Sequence, residues 1–134
     1  MADRASAFHN LSRGLAQLEA FAGLPIENER DKAGVIQAFE FTFELFWKYF
    51  QKVAPEAGLS ASTPREALQA GVLLGLIVER ESAAWSLMLR DRNLSSHTYN
   101  EPLAGEILQR VLDQYLPCFR LTKGRLEDAS GTGP

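Results

Sequence analysis

Val35-Ile36-Gln37-Ala38-Phe39-Glu40-Phe41-Thr42-Phe43-Glu44-Leu45-Phe46-Trp47-Lys48-Tyr49-Phe50 is the stretch that decides the fold. Val35, Phe39, Thr42, Phe46 and Phe50 recur at three- and four-residue intervals, one stripe of a helix, and Ile36, Phe43 and Trp47 widen it. So broad an aromatic face predicts a central helix touching more than one neighbour, a second subunit among the candidates. It should start near Asn28 and end near Val53. Glu40, Glu44 and Lys48 fall at four-residue spacing on another side. Glu44 and Lys48 attract while Glu40 and Glu44 repel slightly. This row is either a solvated face or an acidic strip used by a partner.

Working outward, four more helical segments and no convincing strand are predicted. Before the central helix, Phe8, Leu11, Leu15, Leu18 and Ala22 mark one buried face, stopped by Gly23 and Pro25. After it, residues 55–61 form a connector rich in Gly, Ser and Pro. Thr63-Pro64-Arg65-Glu66 is a capping box with proline at the first helical position, opening a short helix that ends around Gly71 to Gly75. A fourth helix is expected over roughly 79–92, with Trp85, Met88 and Leu89 inward. The last begins between Asn100 and Pro102, turns Leu103, Ile107, Leu108, Val111, Leu112 and Tyr115 inward, and should kink or end at Pro117. Short loops between antiparallel amphipathic helices imply an all-α, antiparallel up-and-down bundle of four main helices plus a short one. One domain over 1–126 and a flexible tail over 127–134 are expected, since the chain looks frayed from Leu126 onward.

Composition narrows the class. The 134 residues are 46% hydrophobic and 23% charged, enough to bury one core. A net charge of −3 argues against coating nucleic acid through bulk positive charge, so any RNA site must be local. Cys118 is the single cysteine and has no internal partner; a reducing cytoplasm and a buried structural thiol fit it best. No apolar signal region follows Met1, and the longest apolar run, around 72–78, is too short for a bilayer, so no membrane association is expected.

Most of the polar chemistry sits in Arg90-Asp91-Arg92-Asn93-Leu94-Ser95-Ser96-His97-Thr98-Tyr99-Asn100. Arg92 follows Trp85 by seven residues, about 20° away around the helix at roughly 100° per residue, so it should need an anion or a carboxylate such as Asp91, Glu44 or Glu40. On a continued helix His97 would stand about 140° from Arg92, and the two could not meet within one chain. Asn93, Ser95 and Ser96 favour caps and turns, which predicts a break that folds His97 back beside Arg92. The residues alone leave two readings open: a site that binds and cleaves a phosphodiester, or a polar helix end closing an interface.

Residues 91–101 resemble the signature of the HEPN superfamily, an arginine and a polar residue followed by histidine. The extended form, Arg92 and Asn93 with His97 and Tyr99, resembles the branch of nucleotidyltransferase substrate-binding proteins related to HepT-type toxins. Phe39-Glu40-Phe41-Thr42-Phe43-Glu44-Leu45-Phe46-Trp47-Lys48, Thr63-Pro64-Arg65-Glu66-Ala67 and Trp85-Ser86-Leu87-Met88-Leu89 extend the resemblance over roughly 8–121.

The resemblance implies a HEPN-like bundle that forms a homodimer or higher oligomer, encoded beside a cognate minimal nucleotidyltransferase. It implies a toxin of a toxin–antitoxin pair, a metal-independent endoribonuclease with RNA as substrate and no cofactor. His97 would move protons at the ribose 2′-hydroxyl and the leaving oxygen, Arg92 would stabilise charge on the scissile phosphate, Asn93 would orient the pair, and Ser95 or Ser96 would contact phosphate. Tyr99 stands where relatives accept AMP from the partner. The alternative is a non-catalytic subunit that binds substrate or nucleotide for the nucleotidyltransferase; a purely structural adaptor is a third class. An imidazole titrating near neutrality and a guanidinium able to grip phosphate oxygens suit the first. The sequence offers no ligand cluster at metal spacing.

Overall fold

Asn28 ends an extended segment and its carboxamide accepts the Asp31 N–H at 2.8 Å, which starts the central helix one residue on, at Glu29. In this computed structural model, which describes residues 3–97 and 100–129 with Asp3, Ser96 and His97 defined by their backbone alone, the order is α1 (Asp3–Ala22), α2 (Glu29–Val53), α3 (Pro64–Leu73), α4 (Ser82–His97), α5 (Glu101–Arg110) and α6 (Leu116–Ala129). No strand occurs among the described residues. Thr98, Tyr99 and 130–134 lie outside them, and with them the sequence expectations for Tyr99 and for most of the tail.

Cross-helix pairs define the topology. Thr42 donates its hydroxyl to the Gly14 and Ala38 carbonyls, and Arg4 reaches the Tyr49 hydroxyl, so α1 and α2 run antiparallel. Glu44 with Arg92 and Glu40 with Ser95 set α4 antiparallel to α2. Phe39 stacks on Tyr115 and Phe46 on Phe119, placing the long C-terminal rod parallel to α2. The result is the expected up-and-down bundle, with α3 as a short crossover. Every residue of the predicted α2 stripe is buried, as are Leu11, Leu15 and Leu18 of α1.

Trp85 sits at the centre, its ring 5.6 to 6.1 Å from those of Phe43, Phe46, Phe50 and Phe119. Such pairs contribute about 0.5–1.5 kcal/mol each beyond their buried area. The predicted capping box opens α3, with a shifted return arm: the Thr63 hydroxyl accepts the Glu66 N–H, and the Glu66 carboxylate accepts from Ser62. The turn after α3 closes on Gly75 at φ 78°, and Gly71 lacks a Cβ where one would lie 2.9 Å from Ile77. The connector to α4 is tied to α6 by Arg125, which donates to both oxygens of Glu81 and to the Leu76 carbonyl.

Several sequence expectations are corrected. The segment after α2 is not all loop: Ala54–Ala57 forms a 3-10 turn. The fourth helix does not break after Arg92. It begins with a 3-10 turn at Glu79–Glu81 and continues to His97, because Ser95 bonds both Glu40 and the Arg92 carbonyl and so satisfies its hydroxyl inside the helix. Pro117 does not end the last helix either. A π turn at Val111–Tyr115 precedes it, the Leu116 N–H reaching back to the Val111 carbonyl, and the wider turn gives the proline ring room. The rod continues to Ala129 with Leu126 fully buried. Leu103, Leu108 and Leu112 are only half-buried, and Ala104 replaces them inward. No described helix is long and apolar enough to cross a membrane.

Cys118 is buried, and burial pushes its thiol up from 9.0 to about 12. A raised folded-state pKa stabilises the fold fully below the unfolded value and loses that contribution as pH rises toward the folded one. Stability should therefore fall as pH climbs above 9.0, with a lower urea midpoint at pH 10 than at pH 7, and Cys118→Ala should narrow that difference. Thiol labelling of the native protein should proceed no faster than unfolding.

Candidate functional site

At its C-terminal end α4 presents adjacent residues to opposite environments. Asp91 is 0% exposed and Arg92 has 31% of its side chain accessible. Asp91 turns inward toward the C-terminal rod. Its carboxylate accepts from Arg110 Nε at 2.7 Å and Nη2 at 2.9 Å, a two-pronged pair, and from the Tyr115 hydroxyl at 2.5 Å. These hydrogen bonds outweigh burial and hold the Arg110 guanidinium more firmly charged than usual. Burial first, then Asp91, pushes the Tyr115 hydroxyl above the ordinary phenol range. The π turn contributes here: Arg110 ends α5 and Tyr115 ends the turn, and both reach the same carboxylate.

Arg92 turns toward α2. Its Nη2 lies 2.9 Å from Glu44 Oε1, and Nη1 donates to the Asn93 carboxamide at 3.2 Å. Glu44 also accepts from the Trp47 indole at 3.2 Å and faces Lys48 at 3.6 Å. One turn farther along, the Ser95 hydroxyl bonds Glu40. The predicted carboxylate partner for Arg92 exists, and it is Glu44. The row of Glu40 and Glu44 is a half-covered seat for the polar end of α4 rather than a purely solvated face.

The structure seats Arg92 and Ser95 on the acidic row and holds the exposed Asn93 to Arg92. Ser96 and His97 continue the α4 backbone, which sets position 97 about 140° around the axis from position 92, so these two positions do not converge within one chain. The Asn100 carboxamide caps α5 by accepting the Leu103 N–H at 2.8 Å. Among the described residues no group of three His, Cys, Asp or Glu side chains is placed to hold a metal. Sequence reasoning missed the buried network of Asp91, Arg110 and Tyr115. The available signal was spacing: Asp91 follows Met88 by three residues, continuing the inward stripe, and Arg110 and Tyr115 flank the inward Val111.

The comparisons give this arrangement a family. Residues 6–128 match the family described as nucleotidyltransferase substrate binding protein like. The chain belongs to that family. A crystal structure from Thermus thermophilus is similar to it at 35% identity and TM-score 0.78, covering 87% of this chain and 98% of that one. No curated protein matches. The family's description ties its members to nucleotidyltransferases, and its match spans all six helices, the polar end of α4 included.

The two faces of α4 should respond differently to substitution. Asp91→Asn strands Arg110 and should lower unfolding free energy by roughly 3 kcal/mol, near the low end for a broken buried ion pair because Arg110 keeps some water access. Tyr115→Phe should cost about 1 kcal/mol. Glu44→Gln removes a partly exposed pair and should change stability by less than about 1 kcal/mol. Urea titration of the three variants tests this ranking, and equal losses would contradict it.

Proposed function

We propose that this chain is a HEPN-type toxin, a metal-independent endoribonuclease that a cognate minimal nucleotidyltransferase silences by adding AMP at Tyr99. Family membership supports the pairing with a nucleotidyltransferase. The observation that carries the catalytic reading is Arg92, a partly exposed guanidinium on an unbroken helix that also carries position 97. Because those positions diverge around one helix, Arg92 and His97 would act together across two copies of the chain.

In that site RNA supplies its own nucleophile. The ribose 2′-oxygen attacks phosphorus and gives up its proton, and the bond to the 5′-oxygen breaks as that oxygen is protonated, leaving a 2′,3′-cyclic phosphate. Imidazole chemistry at His97 suits both proton transfers. Arg92 would carry charge on the phosphate oxygens, with Asn93 orienting it and Ser95 or Ser96 touching phosphate. Phosphate must displace Glu44 from Arg92, so the pair acts as a gate on RNA binding. AMP on Tyr99 would add bulk and negative charge and repel RNA.

A second reading has its own support. Glu44 already occupies Arg92, Glu40 occupies Ser95, and the chain is acidic, which suits a non-catalytic subunit binding substrate or nucleotide for the enzyme.

The purified protein should cleave RNA in EDTA at neutral pH, and Arg92→Ala or His97→Ala should each abolish cleavage while leaving the helical spectrum unchanged. Mixing the two inactive variants should restore roughly a quarter of wild-type activity, since half of randomly formed dimers would hold one intact pair of groups. Glu44→Gln should lower KM up to about fivefold, the weight of a partly exposed ion pair. With the partner and ATP, mass spectrometry should find AMP on wild type and none on Tyr99→Phe. RNA left intact by wild type, with AMP transfer or partner binding preserved, would favour the second reading.

A further inference from the structure

Away from the polar end of α4, a cleft opens where α3 meets the first turns of that helix. On α3 it is lined by Arg65, Leu68, Gln69 and Val72, positions three and four apart and so on one helix face, and Ser82, Trp85 and Ser86 face them from α4. Ile77 of the connector completes the wall. Burial sorts these residues into layers. Leu68, Ile77 and Trp85 are buried and make an apolar floor, with Val72 packed against the core beside them. Arg65, Gln69 and Ser86 are exposed and stand at the rim. Ser82 is half-buried and its hydroxyl donates to the Glu79 carbonyl, which leaves the oxygen able to accept.

The rim carries one sign of charge. Arg65 is the charged residue of the lining, and among the described residues its guanidinium makes no hydrogen bond or ion pair. The same holds for the Gln69 carboxamide and the Ser86 hydroxyl. A guanidinium above an apolar floor suits an anion whose body is apolar, the charge gripped by parallel N–H groups while the body leaves water. The room is about 130 Å³. A cavity of about 150 Å³ accommodates benzene, so this cleft is sized for one six-membered ring.

We propose that the cleft between α3 and α4 binds a small organic anion built on a single flat ring. The ring lies on Leu68, Ile77 and Trp85, Arg65 holds the phosphate or carboxylate, and Gln69 and Ser86 serve polar atoms on the ring edge. A pyrimidine nucleotide and a simple aromatic acid share this chemistry. The site is separate from the one around Arg92 and does not rest on RNA cleavage. Ser86 precedes Arg92 by six residues, about 9 Å along α4 and about 120° around it.

The test is NMR titration of the isotope-labelled full chain with uridine monophosphate and, separately, with phenyl phosphate. At least one probe should saturate with a Kd of roughly 0.1–1 mM, in keeping with a ligand of about ten to twenty non-hydrogen atoms. The Trp85 indole signal should shift, while that of Trp47, hydrogen-bonded to Glu44 beside Arg92, stays in place. Inorganic phosphate should leave Trp85 unmoved. Arg65→Gln should weaken binding about tenfold, the weight of charge-assisted hydrogen bonds, and Ser86→Phe should block the rim. Both positions are exposed, so the helical spectrum should not change. Saturation by uridine monophosphate alone assigns the site to a nucleotide, by phenyl phosphate alone to a simple aromatic acid, and by both to any ring of this size. No shift at Trp85 with either probe, an equal response to inorganic phosphate, or binding undiminished by Arg65→Gln overturns the site. Shifts at Trp47 without Trp85 overturn it too and put the anion at Arg92, where the ribonuclease reading needs one.

Discussion

Trp85 can be buried only if α2 supplies aromatic rings from several turns at once. Phe43, Phe46 and Phe50 pack on it from α2 and Phe119 closes the far side from α6, so one indole couples the central helix, α4 and the C-terminal rod. The remaining architecture follows from keeping α2 in that position. Its Thr42 side receives α1 at a glycine, where an added Cβ would come within 2.8 Å of Leu45. Its Phe39 side receives Tyr115. Among the described residues only the Phe41 side of α2 is left open.

Once α4 is anchored at Trp85, its end is aimed by charge. Two ion pairs pull neighbouring residues apart, Glu44 drawing Arg92 toward α2 while Arg110, with Tyr115, holds Asp91 toward the rod. The inward pair fixes the helix where solvent is excluded and the interaction is strongest. The outward pair leaves a guanidinium partly accessible to solvent.

The bundle was legible because its signal is periodic. The α2 stripe, the Asn28 start and the Thr63 cap are local patterns that the fold retained, and each agrees with burial. The end of α4 was not legible for a different reason. Asn93, Ser95 and Ser96 point to a turn by intrinsic preference, but Glu40, more than fifty residues away in sequence, satisfies Ser95 and removes the incentive to leave the helix. Arg92 was assigned the inward role because it lies about 20° from Trp85, whereas Asp91, about 60° beyond Met88, is the residue that faces the rod. Pro117 misled in the same way: the penalty of proline in a helix was read correctly, but its relief one turn earlier depends on which carbonyls the rod has to aim.

That relief has an evolutionary consequence. A π turn holds one residue more than regular α geometry would need, so the rod consists of two helical phases spliced at Val111–Tyr115. Deleting a single residue there would restore uninterrupted 3.6-fold winding and, because the wide turn had absorbed that residue, leave Phe119 on Phe46 and Arg125 on Glu81. The same deletion in a regular stretch of the rod, with no wide turn to absorb it, would swing everything downstream by about 100°.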